Sequence, residues 1–245
     1  MNKVYACSDL HGMYNLWAQI RDYCDETDTI YFLGDAADRG PDGVRIIQEL
    51  LKDSRAKYLK GNHEDMLVTC ISEYLMGQSN HLSWWIGNGG SPTYDALITM
   101  SEDEIRMLVQ KLDSLPRSEW YRSPAGHRVF LTHAGTDLEF TEWELHTYFG
   151  RKDAYLWDRK HFGAGRPEGE EWKNVFQVHG HTPVQTERMI WRLKNPATPE
   201  TIFYDEHKYN IDMGAIWSCR TALIDLDTFE TKYFYDMETF KETCI

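Results

Sequence analysis

The chain has 245 residues, 42% of them hydrophobic and 13% aromatic, with nine Trp and fourteen Tyr. This composition excludes a disordered chain, which cannot bury enough apolar surface to offset the entropy of ordering, and the length suits one large α/β domain spanning 1–245. A formal net charge of −13 with no basic cluster excludes a nucleic-acid-binding surface, because that affinity comes largely from Lys and Arg neutralising phosphates.

The opening MNKVYACSDLHG lacks a charged-then-apolar leader, and no stretch approaches the ~18 apolar residues that span a bilayer. A cytoplasmic protein without a membrane partner is expected. The five cysteines, Cys7, Cys24, Cys70, Cys219 and Cys244, are odd in number and scattered. They fit neither a disulfide framework nor a CxxC site and read as free thiols.

Apolar runs bounded by turn residues predict strands over Lys3 to Cys7, Thr29 to Leu33, Lys57 to Lys60, Val129 to Thr132 and Val175 to His179. Between the first three, Leu16, Ile20 and Tyr23, then Val44, Ile47, Leu50 and Leu51, recur at helical spacing, which implies βαβ units. The segment at about 64–113 reads as a mainly helical insertion, interrupted from Leu82 to Pro92 by Trp, Gly and Ser residues that a regular helix would not contain. From Phe203 onward apolar and polar residues alternate, as in Cys219 to Leu226 and Lys232 to Tyr235, which predicts antiparallel strands closing a second sheet.

Five polar clusters follow predicted strands: Asp9-Leu-His11-Gly12, Gly34-Asp35-Ala-Ala-Asp38-Arg39-Gly40, Gly61-Asn62-His63-Glu64, His133-Ala-Gly135 and His179-Gly-His181. In an open α/β sheet the carboxyl ends of the strands form the ligand crevice, so these loops can converge on one site. Any single cluster reads equally well as a turn with a capping Asp. Together they supply carboxylates, imidazoles and one amide, a mixed oxygen and nitrogen donor set suited to Mn²⁺, Fe or Zn²⁺.

As they stand, GDxxDRG at Gly34 to Gly40 followed by GNHE at Gly61 to Glu64 resembles the phosphoprotein phosphatases of bacterial and phage type, within the calcineurin-like metallophosphoesterase superfamily. The resemblance runs from Asp9 to about Gly214. It implies a four-layer α/β/β/α sandwich, with two mixed central sheets flanked by helices, and two divalent metal ions, with Mn²⁺ favoured. By this resemblance Asp9 and His11 would hold the first metal, Asp35 would bridge both, and Asn62, His133 and His181 would hold the second. A bridging carboxylate lowers the repulsion of two dications held roughly 3.5–4 Å apart.

The same resemblance implies that His63 acts as the general acid toward the leaving alkoxide, with Asp38 paired to it. On its own, Asp38 reads as a helix-capping residue ahead of Pro41. Arg39 offers a planar fork for two phosphoryl oxygens, and Arg159 in Leu156-Trp157-Asp158-Arg159 resembles the family's downstream phosphate-binding arginine. His179 and His181 compete for one position, and the Gly-His element points to His181. Trp84-Trp85, Tyr148, Trp157 and Trp191 read as core packing.

The expected activity is hydrolysis of phosphoserine and phosphothreonine in a protein or peptide, or of a small phosphate ester. A symmetrical dinucleoside polyphosphate hydrolase, cutting diadenosine tetraphosphate into two ADP, is the second expectation. The two share the metal set and differ only in pocket walls.

Overall fold

The computed structural model describes residues 2–136, 154–159, 169–186, 201–205 and 207–238. Tyr148, Trp191, His146, His161 and Cys244 lie outside the described residues. The amino-terminal third alternates strand and helix: β1 (Val4–Cys7), α1 (Tyr14–Tyr23), β2 (Thr29–Phe32), α2 (Gly43–Leu50) and β3 (Ala56–Tyr58). β1 pairs with β2 and β2 with β3, both parallel, as crossover connections through a helix require.

Within β1 the two faces serve different layers. Tyr5 and Cys7 turn toward α1 and α2, whose buried Leu16, Trp17, Ile20, Val44 and Ile47 belong to the same cluster, while Ala6 turns to the opposite face. A strand buried on both sides reads as an unbroken apolar run, and VYAC is one.

The helical region is α3 (Asn62–Leu75), α4 (Leu82–Trp85), a wide turn over Ile86–Gly90, α5 (Ser91–Leu97) and α6 (Glu102–Asp113). Gly89 breaks the helical path with φ 101°, a left-handed value that glycine adopts without steric cost. α6 starts from Ser101, which accepts from the Glu104 amide while Glu104 reaches back to Ser101, a reciprocal cap.

β4 (Ser118–Arg122), β5 (Arg128–Thr132), β6 (Val175–His179), β7 (Phe203–Asp205) and β8 (Lys208–Asn210) form one sheet in the order β4-β5-β6-β8-β7. β9 (Arg220–Asp225) and β10 (Thr231–Tyr235) join the other, in the order β10-β9-β1-β2-β3. This corrects the expectation that the whole carboxyl-terminal run closes the second sheet. β7 and β8 do so, whereas β9 returns to pair antiparallel with β1, Tyr5 opposite Asp225 and Ala6 opposite Ile224. β4 was not anticipated, because its SEWYR sequence lies half-buried at a sheet edge.

Both sheets are mixed, and they face each other across a shared apolar layer. Ala6, Tyr31, Leu33, Leu59 and Ile224 on one side meet Val129, Leu131, Val178, Tyr209 and Ile211 on the other. The architecture is the metallophosphoesterase sandwich, two mixed sheets with helices. Among the described residues no helix is long and apolar enough to cross a membrane.

Candidate metal centre

The strand ends of both sheets meet in one crevice. Asp9 follows β1, Asp35 follows β2, Asn62 opens α3 just after β3, His133 follows β5 and His181 follows β6. The first two loops are zipped together by backbone bonds: the Asp9 amide donates to Gly34 O, His11 to Asp35 O and Gly12 to Ala36 O, at 2.9 to 3.0 Å. Asp9, His11, Asp35, Asp38, Arg39 and His181 all take positive φ, from 43° to 69°. Such strained non-glycine backbone gathers where surrounding contacts over-determine a functional geometry.

Glu64 is the clamp that holds the Asp35 loop. Its carboxylate is fully buried and accepts from four backbone amides: Gly61 at 2.9 Å, Asp35 at 2.8 Å, Ala36 at 2.9 Å and Ala37 at 3.3 Å. Sequence reasoning assigned Glu64 no role. Its position three residues into a helix that opens at Gly61 was the available signal, since Glu at that position reaches back to cap the helix start.

Two groups of side chains place potential ligand atoms within 4.8 Å of one another, His11 with Asp35 and His63, and Asp35 with His133 and His181. Asp35 is common to both. Its Oδ2 lies 3.6 Å from His11 Nε2 and its Oδ1 3.4 Å from His133 Nε2. Asn62 Oδ1 lies 2.8 Å from His133 Nε2 and 2.9 Å from His181 Nδ1. Asp9 falls in neither group; its carboxylate accepts from the His181 amide at 3.1 Å and from the Ser8 hydroxyl.

The tautomers follow from the outer contacts. His11 Nδ1 faces Ala37 O at 2.9 Å and His133 Nδ1 faces Leu33 O at 2.8 Å, so each carries its proton there and turns a lone pair inward. Burial pushes His133 down to about 3 and His11 and His181 well below the usual imidazole range, so the rings are neutral. Burial first, then neighbouring carboxylates, holds Asp9 and Asp35 well above the ordinary range. Neutral imidazoles and buried carboxyls crowded together are a donor set lacking positive charge, and a pair of divalent cations supplies it. His181 Nε2, buried without a hydrogen-bond partner, adds to the Lewis-basic surplus. The residues present fit a metal centre.

Beside this cluster, His63 Nδ1 pairs with Asp38 Oδ2 at 2.7 Å. Asp38 is not a helix cap; α2 starts from Asp42. Its Oδ2 also accepts from Trp85 Nε1 at 2.8 Å, and its amide donates to Thr93 Oγ1 at 2.9 Å. The Arg39 amide donates to Gly89 O at 2.8 Å. The interruption between α3 and α5 therefore buttresses the Asp38-Arg39 turn, and Trp85 does so from within the core.

Arg39 reaches His11 Nε2 with Nη1 at 2.7 Å and His63 Nε2 with Nη2 at 3.1 Å, spanning the mouth of the cluster. Arg159 donates to Thr182 Oγ1 at 3.1 Å and feels the carboxylates of Asp9, Asp212 and Asp35. His179 stands apart from both ligand groups, with Nδ1 3.1 Å from Gly180 O. Asp212 was missed by sequence reasoning. It is buried beside Asp9, its pKa pushed up to about 6 by burial, and it orients the following turn by accepting from the Gly214 amide at 2.7 Å.

Comparison with known proteins agrees with this geometry. A family model described as calcineurin-like phosphoesterase matches residues 2–211. A relative from Halalkalibacterium halodurans named bis(5'-nucleosyl)-tetraphosphatase PrpE [asymmetrical] is 27% identical over 78% of this chain and 82% of its own. One of the same name from Oceanobacillus iheyensis is 25% identical over 77% and 70%. Among solved structures, a putative diadenosine tetraphosphatase superposes with TM-score 0.59 at 16% identity, over 97% of this chain and 95% of its own. A Saccharomyces cerevisiae serine/threonine phosphatase similar to human PP5 gives 0.56 at 14% identity, over 97% and 81%. The relatives' names point to nucleoside tetraphosphates rather than phosphoproteins, and to asymmetrical rather than the expected symmetrical cleavage. With the match running from β1 through β8, the chain belongs to the calcineurin-like phosphoesterase family and is a phosphoester hydrolase.

Proposed function

We propose that the chain hydrolyses dinucleoside tetraphosphates asymmetrically, to a nucleoside triphosphate and a nucleoside monophosphate. The geometric observation that carries phosphoryl chemistry is the Arg39 guanidinium lying across His11 and His63, at 2.7 and 3.1 Å, over a cluster of inward-facing lone pairs. The substrate class is supported by the name shared by the relatives from Halalkalibacterium and Oceanobacillus.

In this reading Asp9, His11, Asp35, Asn62, His133 and His181 would hold two divalent ions, with Mn²⁺ the proposed metal and Fe or Zn²⁺ the alternatives. When bound, such ions lower the pKa of a water to near neutrality and offset phosphoryl charge. Arg39, with Arg159 as a second donor, binds non-bridging phosphoryl oxygens through its planar fork. With Arg39 turned from His63 Nε2 to a phosphoryl oxygen, that nitrogen would be free to carry the proton given to the departing oxygen, while Asp38 holds Nδ1–H and keeps the ring aimed at the site.

A second reading, a phosphoserine and phosphothreonine protein phosphatase, is favoured by that same Asp38–His63 pair. A serine alkoxide is a far poorer leaving group than a nucleotide phosphate and depends more on a positioned acid. Manganese-reloaded protein incubated with diadenosine tetraphosphate and, separately, with a phosphoserine peptide decides between them. ATP plus AMP supports the proposal, two ADP moves the reading to symmetrical cleavage, and peptide turnover alone overturns it. A His63→Asn variant should lose roughly 10²- to 10⁴-fold in kcat on the phosphoserine peptide if it is a substrate, and much less on nitrophenyl phosphate, which needs little proton assistance. Equal losses on both would remove His63 from the acid role.

A further inference from the structure

We infer that Trp217 is the nucleobase platform of this site, stacking the base of a nucleotide whose phosphate is held by Arg39. The inference rests on the nucleotide reading above and names the wall that would make it. Trp217 lies in a single helical turn, Ala215–Ser218, directly after Asp212 at the crevice. The Arg39 guanidinium stands 5.4 Å from the centre of its ring, and the same guanidinium touches His11 and His63. The indole is therefore one side chain away from the phosphoryl cluster.

Two features distinguish it from an incidental surface tryptophan. First, it is 65% exposed, so Arg39 leaves most of it to solvent, and a large open aromatic surface beside a charged crevice is a ready stacking surface. Second, the turn carrying it is clamped. The Gly214 amide donates to Asp212 Oδ1 at 2.7 Å, the Ser218 hydroxyl to Met213 O at 2.7 Å, and the Asp236 amide to Cys219 O at 2.8 Å. Gly214 and Cys219, on either side, both adopt left-handed backbone, with φ 64° and 51°. The flanking Ala215 and Cys219 are buried. A platform fixed before binding gives up little entropy when a base stacks on it, and base–aromatic stacking accepts any base because each has a π-face.

AMP and ribose 5-phosphate differ only by the base, so their affinities isolate this contact. Titration calorimetry on the manganese-loaded protein should give a dissociation constant for AMP roughly 10-fold or more below that for ribose 5-phosphate, as expected for one stacked base. Trp217→Ala should bring the ratio to about one, and Trp217→Phe should retain most of it. A ratio near one in the unaltered protein, equal weakening of both ligands by Trp217→Ala, or no binding of either would overturn the inference. A ratio kept in Trp217→Ala but lost in Trp84→Ala would move the base to the pair of Trp84 and Trp157, whose rings lie 6.1 Å apart with Trp157 6.1 Å from His181, and would equally overturn it. Because the readout is binding, it stands apart from the turnover test. A Trp217-dependent preference for AMP without cleavage of diadenosine tetraphosphate would sink the proposed reaction and leave the platform in place.

Discussion

At the scale of single residues, Glu64 clamps the Asp35 loop of the crevice. A carboxylate receiving four amide hydrogens has every lone pair facing a donor, and an amide side chain cannot reproduce this. In Glu64→Gln one oxygen becomes an NH₂ that points at backbone N–H groups, leaving buried donors unmet. The expected loss is about 2–3 kcal/mol of folding stability, read as a lower midpoint in urea at unchanged slope. Because the loop that relaxes carries Asp35, manganese affinity measured by titration should fall roughly 10- to 100-fold as well. Full retention of both would show that the clamp is redundant. The convergence of Asp9, His11, Asp35, Asn62, His133 and His181 on one crevice was legible in sequence because polar residues at strand ends stand out against the apolar runs before them. Asp212 was not, since nothing in its spacing separates a buried acceptor of amides from a solvated acid. The position of Glu64 three residues past Gly61 signals a helix cap without revealing that the same carboxylate also holds the Asp35 loop.

At the scale of elements, the interruption between α3 and α5 illustrates how far local pattern reaches. Its Trp, Gly and Ser content marked a broken helix, and the break is real, centred on Gly89 at φ 101°. Its purpose was hidden because Trp85 does two jobs with one side chain. The fully buried indole fills the core and its Nε1 meets Asp38 across 47 residues of sequence, a pairing that periodicity cannot encode. Trp85→Phe separates the two, keeping much of the apolar volume and removing the donor. The fold should persist, with a modest fall in melting temperature. Turnover of the substrate that most needs a proton should drop roughly 3- to 10-fold, more than turnover of nitrophenyl phosphate. If both substrates slow equally, Trp85 supports packing and not the orientation of His63. β9 teaches the same lesson in the sheets: alternation gave its extent to within a residue or two, but alternation carries no partner, and the partner turned out to be β1 rather than the second sheet.

At the scale of the whole molecule, the candidate metal centre sits where the two sheets meet. Asp9, Asp35 and Asn62 hang from the ends of β1, β2 and β3, whereas His133 and His181 hang from β5 and β6. Below them the sheets are joined mainly through the apolar layer around Ala6, Leu131 and Val178, with Tyr31 and Lys57 of the first sheet reaching Glu119 of the second; at the crevice they are joined through groups that burial would rather leave neutral. Metal ions bound across the crevice would tie both sheets together, so metal affinity and fold stability are linked. An ion present at 100 times its dissociation constant adds about 2.7 kcal/mol. Chelation should therefore lower the melting temperature, and added Mn²⁺ should raise it with a dependence on concentration that ends at saturation. Hydrogen exchange should locate the effect. Without metal, amides of the Asp9, Asp35 and His181 loops should lose protection, while the α1 and α2 amides on the far face of the first sheet should change little. Uniform loss of protection would mean that metal governs folding as a whole, and no change in either observable would separate these residues from metal binding altogether.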